Sequence, residues 1–259
     1  MSDPQSPTSC EGCSAPLDFD ISMAFQPIVD LRDGSVYAYE ALVRGLDGEP
    51  AKTVLDQVTD ENRFAFDQRC RVRAVELAAK LGVTCRLNIN FMPNAVYEPN
   101  RCLRSTFEAA ASFGFPIERI VFETTEDERV RDPAHLKAIM VEYKHQGFQT
   151  AIDDFGAGYA GLSLLAEFQP DIVKLDMALV RGIDTNLPRQ AIIAGILGIC
   201  RMLDVRVIAE GVETVAEMQT LRELGIELMQ GYLFARPAFE ELPSPDLISV
   251  YARPRTGTA

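Results

Sequence analysis

Asp153 and Asp154 stand side by side just ahead of three glycines, Gly156, Gly158 and Gly161. Paired carboxylates in that setting suit two chemistries, the holding of a hard cation or the closing of a nucleotide-binding turn. Other polar side chains fall where apolar runs give out. Glu40 lies near the end of residues 36–42, Glu123 follows 119–122, and Glu210 follows 205–209. Asn88, Lys174 and Gln230 sit within similar runs. Brought together without compensation, five carboxylates would repel one another and retain their protons. Lys174 offsets one charge, and two divalent cations would neutralise the remaining four. Oxygen donors with no His or Cys among them suit Mg2+ or Mn2+ better than zinc. Two such ions activate water and clamp a phosphoryl group for in-line displacement.

These residues can act together only if the chain brings them to one place. Eight short runs rich in Val, Ile and Phe read as strands: 23–29, 36–42, 85–89, 119–122, 149–152, 171–175, 205–209 and 228–234. Amphipathic stretches at 69–81, 103–113, 134–146, 161–168, 189–203 and 215–224 read as helices. Gly82, Gly114, Gly147 and Gly225 follow helical stretches, where a left-handed cap calls for glycine. Strand–helix alternation predicts a largely parallel sheet. Eight strands in 259 residues favour a closed (β/α)8 barrel over an open sheet. In such a barrel the carboxyl ends of all strands open onto one face, so residues distant in sequence converge there.

The remaining composition narrows the class. A net charge of −13 argues against a duplex nucleic-acid binder, which needs a basic stripe. No apolar run is long enough to span a bilayer, and the N-terminus lacks the basic-then-apolar pattern of a signal peptide, so a cytoplasmic protein is expected. Residues 1–20 and 253–259 read as disordered tails flanking one domain over 21–252. Cys70, Cys85, Cys102 and Cys200 read as buried free thiols, while Cys10 and Cys13 lack the second ligand pair that a zinc site requires. Gly156–Gly161 matches the dinucleotide pattern Gly-x-Gly-x-x-Gly. Asp153 and Asp154 would oppose a pyrophosphate there, and that reading leaves Glu40, Glu123 and Glu210 unexplained. The glycines fit better as a tight loop carrying Asp154 to a metal. There is no Gly-x-Ser-x-Gly and no Gly-Lys-Ser/Thr, and two histidines are too few for a His/Asp-rich phosphohydrolase.

An ordered set of segments then carries a resemblance: Phe25-Gln26-Pro27-Ile28-Val29, Glu40-Ala41-Leu42-Val43-Arg44, Asp153-Asp154-Phe155-Gly156-Ala157-Gly158, Lys174-Leu175-Asp176, Ala209-Glu210-Gly211-Val212-Glu213 and Gln230-Gly231-Tyr232. It resembles the EAL-domain cyclic di-GMP phosphodiesterases, which Glu40-Ala41-Leu42 names. The resemblance implies a barrel with one antiparallel strand, and hydrolysis of cyclic di-GMP to pGpG with Mg2+ or Mn2+. It implies Glu40, Asn88, Glu123, Asp153 and Asp154 as metal ligands, with Glu210 and Gln230 at metal or metal-water positions. Lys174 matches a lysine on the attacking water, so Lys174 and Glu210 are the catalytic candidates. Arg44 matches a phosphate-holding arginine, and Gln26 and Asp176 fall at substrate-binding positions. Glu126 matches a glutamate that steadies the loop after Asp153. Asp153 is thus expected to be fixed by its strand, and Asp154 to depend on that loop. A homodimer is also implied. Asn90 and Gly161 depart from serines usual in the family. The stretch 45–66 is similar to versions attached to blue-light sensors. The alternative function is a non-catalytic cyclic di-GMP receptor or a partner-binding regulatory module.

Overall fold

The computed structural model describes residues 17–125, 133–158, 161–245 and 247. The strands are β1 (Ser22–Asp30), β2 (Ser35–Arg44), β3 (Arg86–Asn90), β4 (Ile120–Thr125), β5 (Gln149–Phe155), β6 (Ile172–Leu175), β7 (Arg206–Ala209), β8 (Leu228–Met229) and β9 (Ala238–Phe239). The helices are α1 (Ala51–Leu55), α2 (Arg63–Lys80), α3 (Pro99–Cys102), α4 (Arg104–Phe113), α5 (Pro133–His145), α6 (Gly161–Glu167), α7 (Met177–Val180), α8 (Leu187–Met202) and α9 (Val215–Leu224). Strands β2 to β8 pair in parallel in chain order, and β1 closes the ring by running antiparallel to both β2 and β8. β9 is an extra two-residue strand laid antiparallel on β1. The fold is therefore the expected eight-stranded barrel with one antiparallel strand.

Helix ends follow local chemistry. Thr214 and Glu217 form a reciprocal capping box at the start of α9, and Gly225 closes that helix at φ 102°. Gly82, Gly114 and Gly147 also have positive φ where helices end. α2 begins earlier than the apolar pattern predicts, because Asp67 interrupts the stripe. In the fold Asp67 is buried against Arg71 at 2.6 Å, a pairing one helical turn apart. β8 is shorter than expected. After Met229 the chain leaves the ladder, and Val212 takes over the pairing through its bonds with Gln230 and Leu233. The packed chain also begins ahead of residue 21, since Leu17 and Phe19 rest on the core and the Phe19 ring meets Phe66 at 6.3 Å between centroids. Cys70, Cys102 and Cys200 are buried free thiols and Cys85 is partly so, whereas Cys10 and Cys13 lie outside the described residues.

Two apolar clusters fill the space between barrel and helices, one against β1–β4 and one against β5–β8. A third plugs the barrel itself: Ile28, Ala38, Val121, Ala151, Ile172, Ile208 and Leu228, one residue from each of seven strands. This plug places the site. Side chains on a strand alternate faces, so the next inward residue lies two positions on. Two beyond Ala38, Val121, Ala151, Ile172, Ile208 and Leu228 come Glu40, Glu123, Asp153, Lys174, Glu210 and Gln230. On the reversed strand β1 the count runs backwards, from Ile28 to Gln26. The polar layer is the next floor of the same barrel.

Candidate active site

Lys174 stands at the centre of that layer and is fully buried. Its Nζ lies 2.7 Å from Glu210, 3.1 Å from Glu123, 3.2 Å from Asp153 and 3.3 Å from Glu40. The Asn88 amide donates to Glu123 Oε1 at 2.5 Å, and the Gln230 amide donates to Glu40 Oε2 at 2.8 Å. Gln230 also donates to Gln26, whose own amide reaches the Ala235 carbonyl.

Strand β5 sets its two acids differently. A regular strand would turn Asp153 and Asp154 to opposite faces. Instead the β5–β6 register shifts between Ile152 and Phe155, and Asp154 takes φ 52°. Such a bulge re-aims a side chain. Asp154 can therefore share a cluster with Asp153 and Glu210, in which their carboxylate oxygens lie within 4.8 Å of one another. Glu40, Glu123 and Asp153 form a second such cluster. Asp153 belongs to both. The backbone N–H of Asp154 donates to Asp153 Oδ1 at 2.9 Å, which steadies the first acid of the pair.

The electrostatics reflect crowding. Burial, reinforced by Glu40 and Asp153 and opposed by Lys174, pushes the Glu123 carboxyl up to about 8. Burial, then Asp153 and Asp176, raises Asp154 to about 6. Burial and the neighbouring Asp153 hold Glu210 well above the usual carboxylate range. Burial works against the charge on Lys174, but Asp153, Glu123, Glu210 and Glu40 together raise its pKa well above normal. One lysine does not balance these acids. Asn88 Oδ1 and Gln230 Oε1 are also buried oxygens with no hydrogen-bond partner among the described residues. Leaving such atoms bare costs about 1–3 kcal/mol each. Crowded carboxylates beside bare amide oxygens are the donor set of a hard divalent cation, so the residues present fit the metal that the sequence implies.

The site opens into a cavity of about 260 Å3, with Met177, Arg181, Glu213 and Tyr232 at its rim. Arg181 pairs with Glu213 at 2.6 Å, and the Arg236 guanidinium lies 4.1 Å from the Tyr232 ring centroid. Two glycines let the strand-end loops close tightly. A Cβ on Gly211 would lie 2.5 Å from Met177 Cβ, and one on Gly231 would lie 2.0 Å from the Val212 carbonyl oxygen. A second cavity of about 570 Å3 lies beside the site, lined mainly by apolar residues including Leu42, Leu55, Phe66, Phe91 and Met92.

Glu40, Asn88, Glu123, Asp153, Lys174, Glu210, Gln230 and Gln26 thus lie together in one layer, with Asp154 joining them from the bulge. Arg44 is half-buried near Glu40 and Tyr232, and its Nη1 donates to the Val43 carbonyl at 2.7 Å. Asp176 has a structural task that the sequence reading missed: it caps α7 by accepting from the Ala178 N–H at 2.8 Å. Glu126 lies outside the described residues. The rim residues Met177, Arg181 and Glu213 were also missed, since no polar side chain at an inward strand position marks them.

A family model described as the EAL domain matches residues 17–237. The chain belongs to the EAL-domain family. Its barrel superposes on a crystal structure of a standalone versatile EAL protein from Vibrio cholerae O395 in a c-di-GMP bound form, with TM-score 0.87 and 56% identity over 90% of this chain and 98% of that one. It also matches Klebsiella pneumoniae BlrP1 in a manganese/cyclic di-GMP complex, with TM-score 0.81 and 34% identity over 87% of this chain and 59% of that one. Among curated relatives, the blue light- and temperature-regulated antirepressor BluF of Escherichia coli is 34% identical over 236 residues, and the cyclic di-GMP phosphodiesterase NbdA of Pseudomonas aeruginosa is 30% identical over 238. These matches cover 90% and 85% of this chain, but only 58% of BluF and 29% of NbdA. No helix among the described residues of this EAL barrel is long and apolar enough to cross a membrane.

Proposed function

We propose that the chain hydrolyses cyclic di-GMP to linear pGpG with the help of two divalent cations, Mg2+ or Mn2+. The observation that carries this reading is the pair of oxygen clusters sharing Asp153 around the buried Lys174. Glu40, Asn88, Glu123, Asp153, Asp154, Glu210 and Gln230 are the residues that would hold the ions or their waters. When bound, such ions polarise water and the phosphoryl oxygens.

The chain's own residues supply orientation and charge. Lys174 Nζ, fixed by four carboxylates, donates toward the oxygen of the attacking water. Glu210, as a carboxylate 2.7 Å from Lys174 Nζ, accepts a proton as that oxygen bonds to phosphorus. The P–O3′ bond breaks, and the departing O3′ takes up a proton to leave pGpG. Arg44 faces the phosphate, and Gln26 and Asp176 contribute substrate contacts. The apolar cavity beside the site suits a flat base. Glu126 would steady the loop after Asp153. The working form is read as a homodimer in the cytoplasm.

One relative favours a second reading. BluF is named an antirepressor, so a receptor or partner-binding role on the same barrel is a real alternative. Incubation with cyclic di-GMP and Mn2+, followed by chromatography, separates the two. Appearance of pGpG supports hydrolysis. Binding without product rejects it in favour of the receptor.

A further inference from the structure

We propose that Asn90 is a positioning residue that orients Glu40 for cation binding. The inference rests on the metal site of the proposed function and adds a residue to it. Asn88 and Asn90 lie two apart on β3 and share its inward direction. They serve opposite neighbours. Asn88 donates to Glu123 on β4, and Asn90 Nδ2 donates to Glu40 Oε1 on β2 at 3.0 Å.

The two glutamates are consequently held in the same manner. Each has one oxygen on an asparagine amide and the other on Lys174. Glu40 Oε2 additionally accepts from Gln230. The terminal torsion of a glutamate carboxylate is broad, and two fixed donors on opposite oxygens remove that freedom. The chemistry of the donor matters. An amide N–H₂ can only donate, so Glu40 Oε1 must accept. The amide is neutral, and unlike a second lysine it leaves the negative charge of the cluster available to a cation. Serine cannot substitute directly, because its hydroxyl ends one bond closer to the backbone and can reverse the direction of the hydrogen bond.

The test uses the full chain carrying Asn90→Leu, close to the native side chain in size, and Asn90→Ser. Mn2+ alone is titrated into each metal-stripped protein by calorimetry, and thermal midpoints are recorded with chelator. Substitution of a residue that orients a ligand typically costs about 10–100-fold in metal affinity. We expect a loss of at least about tenfold in Asn90→Leu, a smaller loss in Asn90→Ser, and a cyclic di-GMP KM at saturating Mn2+ close to that of the unsubstituted chain. Wild-type Mn2+ affinity in the folded Asn90→Leu protein would overturn the inference. If Asn90→Leu does not fold, wild-type affinity in Asn90→Ser overturns it instead. Failure of the unsubstituted chain to form pGpG rejects the proposed reaction and leaves this comparison of metal affinities intact.

Discussion

Replacing Lys174 with methionine removes the cation that touches four carboxylates at 2.7–3.3 Å in a buried layer. Methionine matches the length of the stem, so the loss is chiefly electrostatic. Breaking a buried ion pair by deleting one partner costs about 3–5 kcal/mol. For a domain of this size that is roughly a 10 °C fall in the thermal midpoint. The cost depends on pH in a defined direction. Glu123 titrates in the fold near 8 and Glu210 is raised well above its ordinary value. Between their unfolded and folded values the native state holds more protons than the unfolded chain. The stability tied to those protons is present at low pH and lost as pH rises through the folded value. Removing Lys174 pushes both carboxyls higher still, so the variant suffers more at pH 8.5 than at pH 6. Scanning fluorimetry of metal-stripped protein at both pH values reads this directly, and added Mn2+ should restore part of the midpoint at pH 8.5. An unchanged midpoint at pH 8.5, or a larger loss at pH 6, would refute the electrostatic account of the layer.

Other consequences follow from the same geometry. Asp153→Asn or Glu40→Ala should lower pGpG formation by at least about a thousandfold, because each removes a carboxylate from a proposed cation cluster, and Asp153 belongs to both; purified variants with near-normal turnover would reject the assignment. Mn2+ binding must displace the proton that Glu123 keeps below about pH 8. Its affinity should therefore climb between pH 6 and 8 by up to about tenfold per unit for each proton released, with the release visible as a buffer-dependent calorimetric heat. Gly211→Ala combines φ 65° with a Cβ 2.5 Å from Met177 Cβ, so urea titration should show a loss of about 1–3 kcal/mol, and kcat should fall because Glu210 is the adjacent residue.

Much of this protein was legible from residue order. Hydrophobic runs located all eight barrel strands, because burial on both faces forces a continuous apolar signature on a parallel strand. The polar residues breaking those runs form the buried layer around Lys174. The clearest pattern, apolar residue then inward polar residue two positions later, recurs on β2, β4, β5, β6, β7 and β8, and its reversal in Gln26-x-Ile28 signals that β1 runs the other way. That alternation is local, so sequence carries it. Distances between strands are not local. Only the closed barrel brings Lys174 to four carboxylates drawn from four other strands or strand ends, and only the β5 bulge turns Asp154 to the same side as Asp153. The early start of α2 was hidden for a similar reason, since Asp67 looks misplaced until Arg71 is seen beside it. Sequence determined which chemical groups are present and how they alternate along each strand. Tertiary structure decided which of them face one another, because burial and mutual repulsion acquire their size only when the groups share one enclosed space.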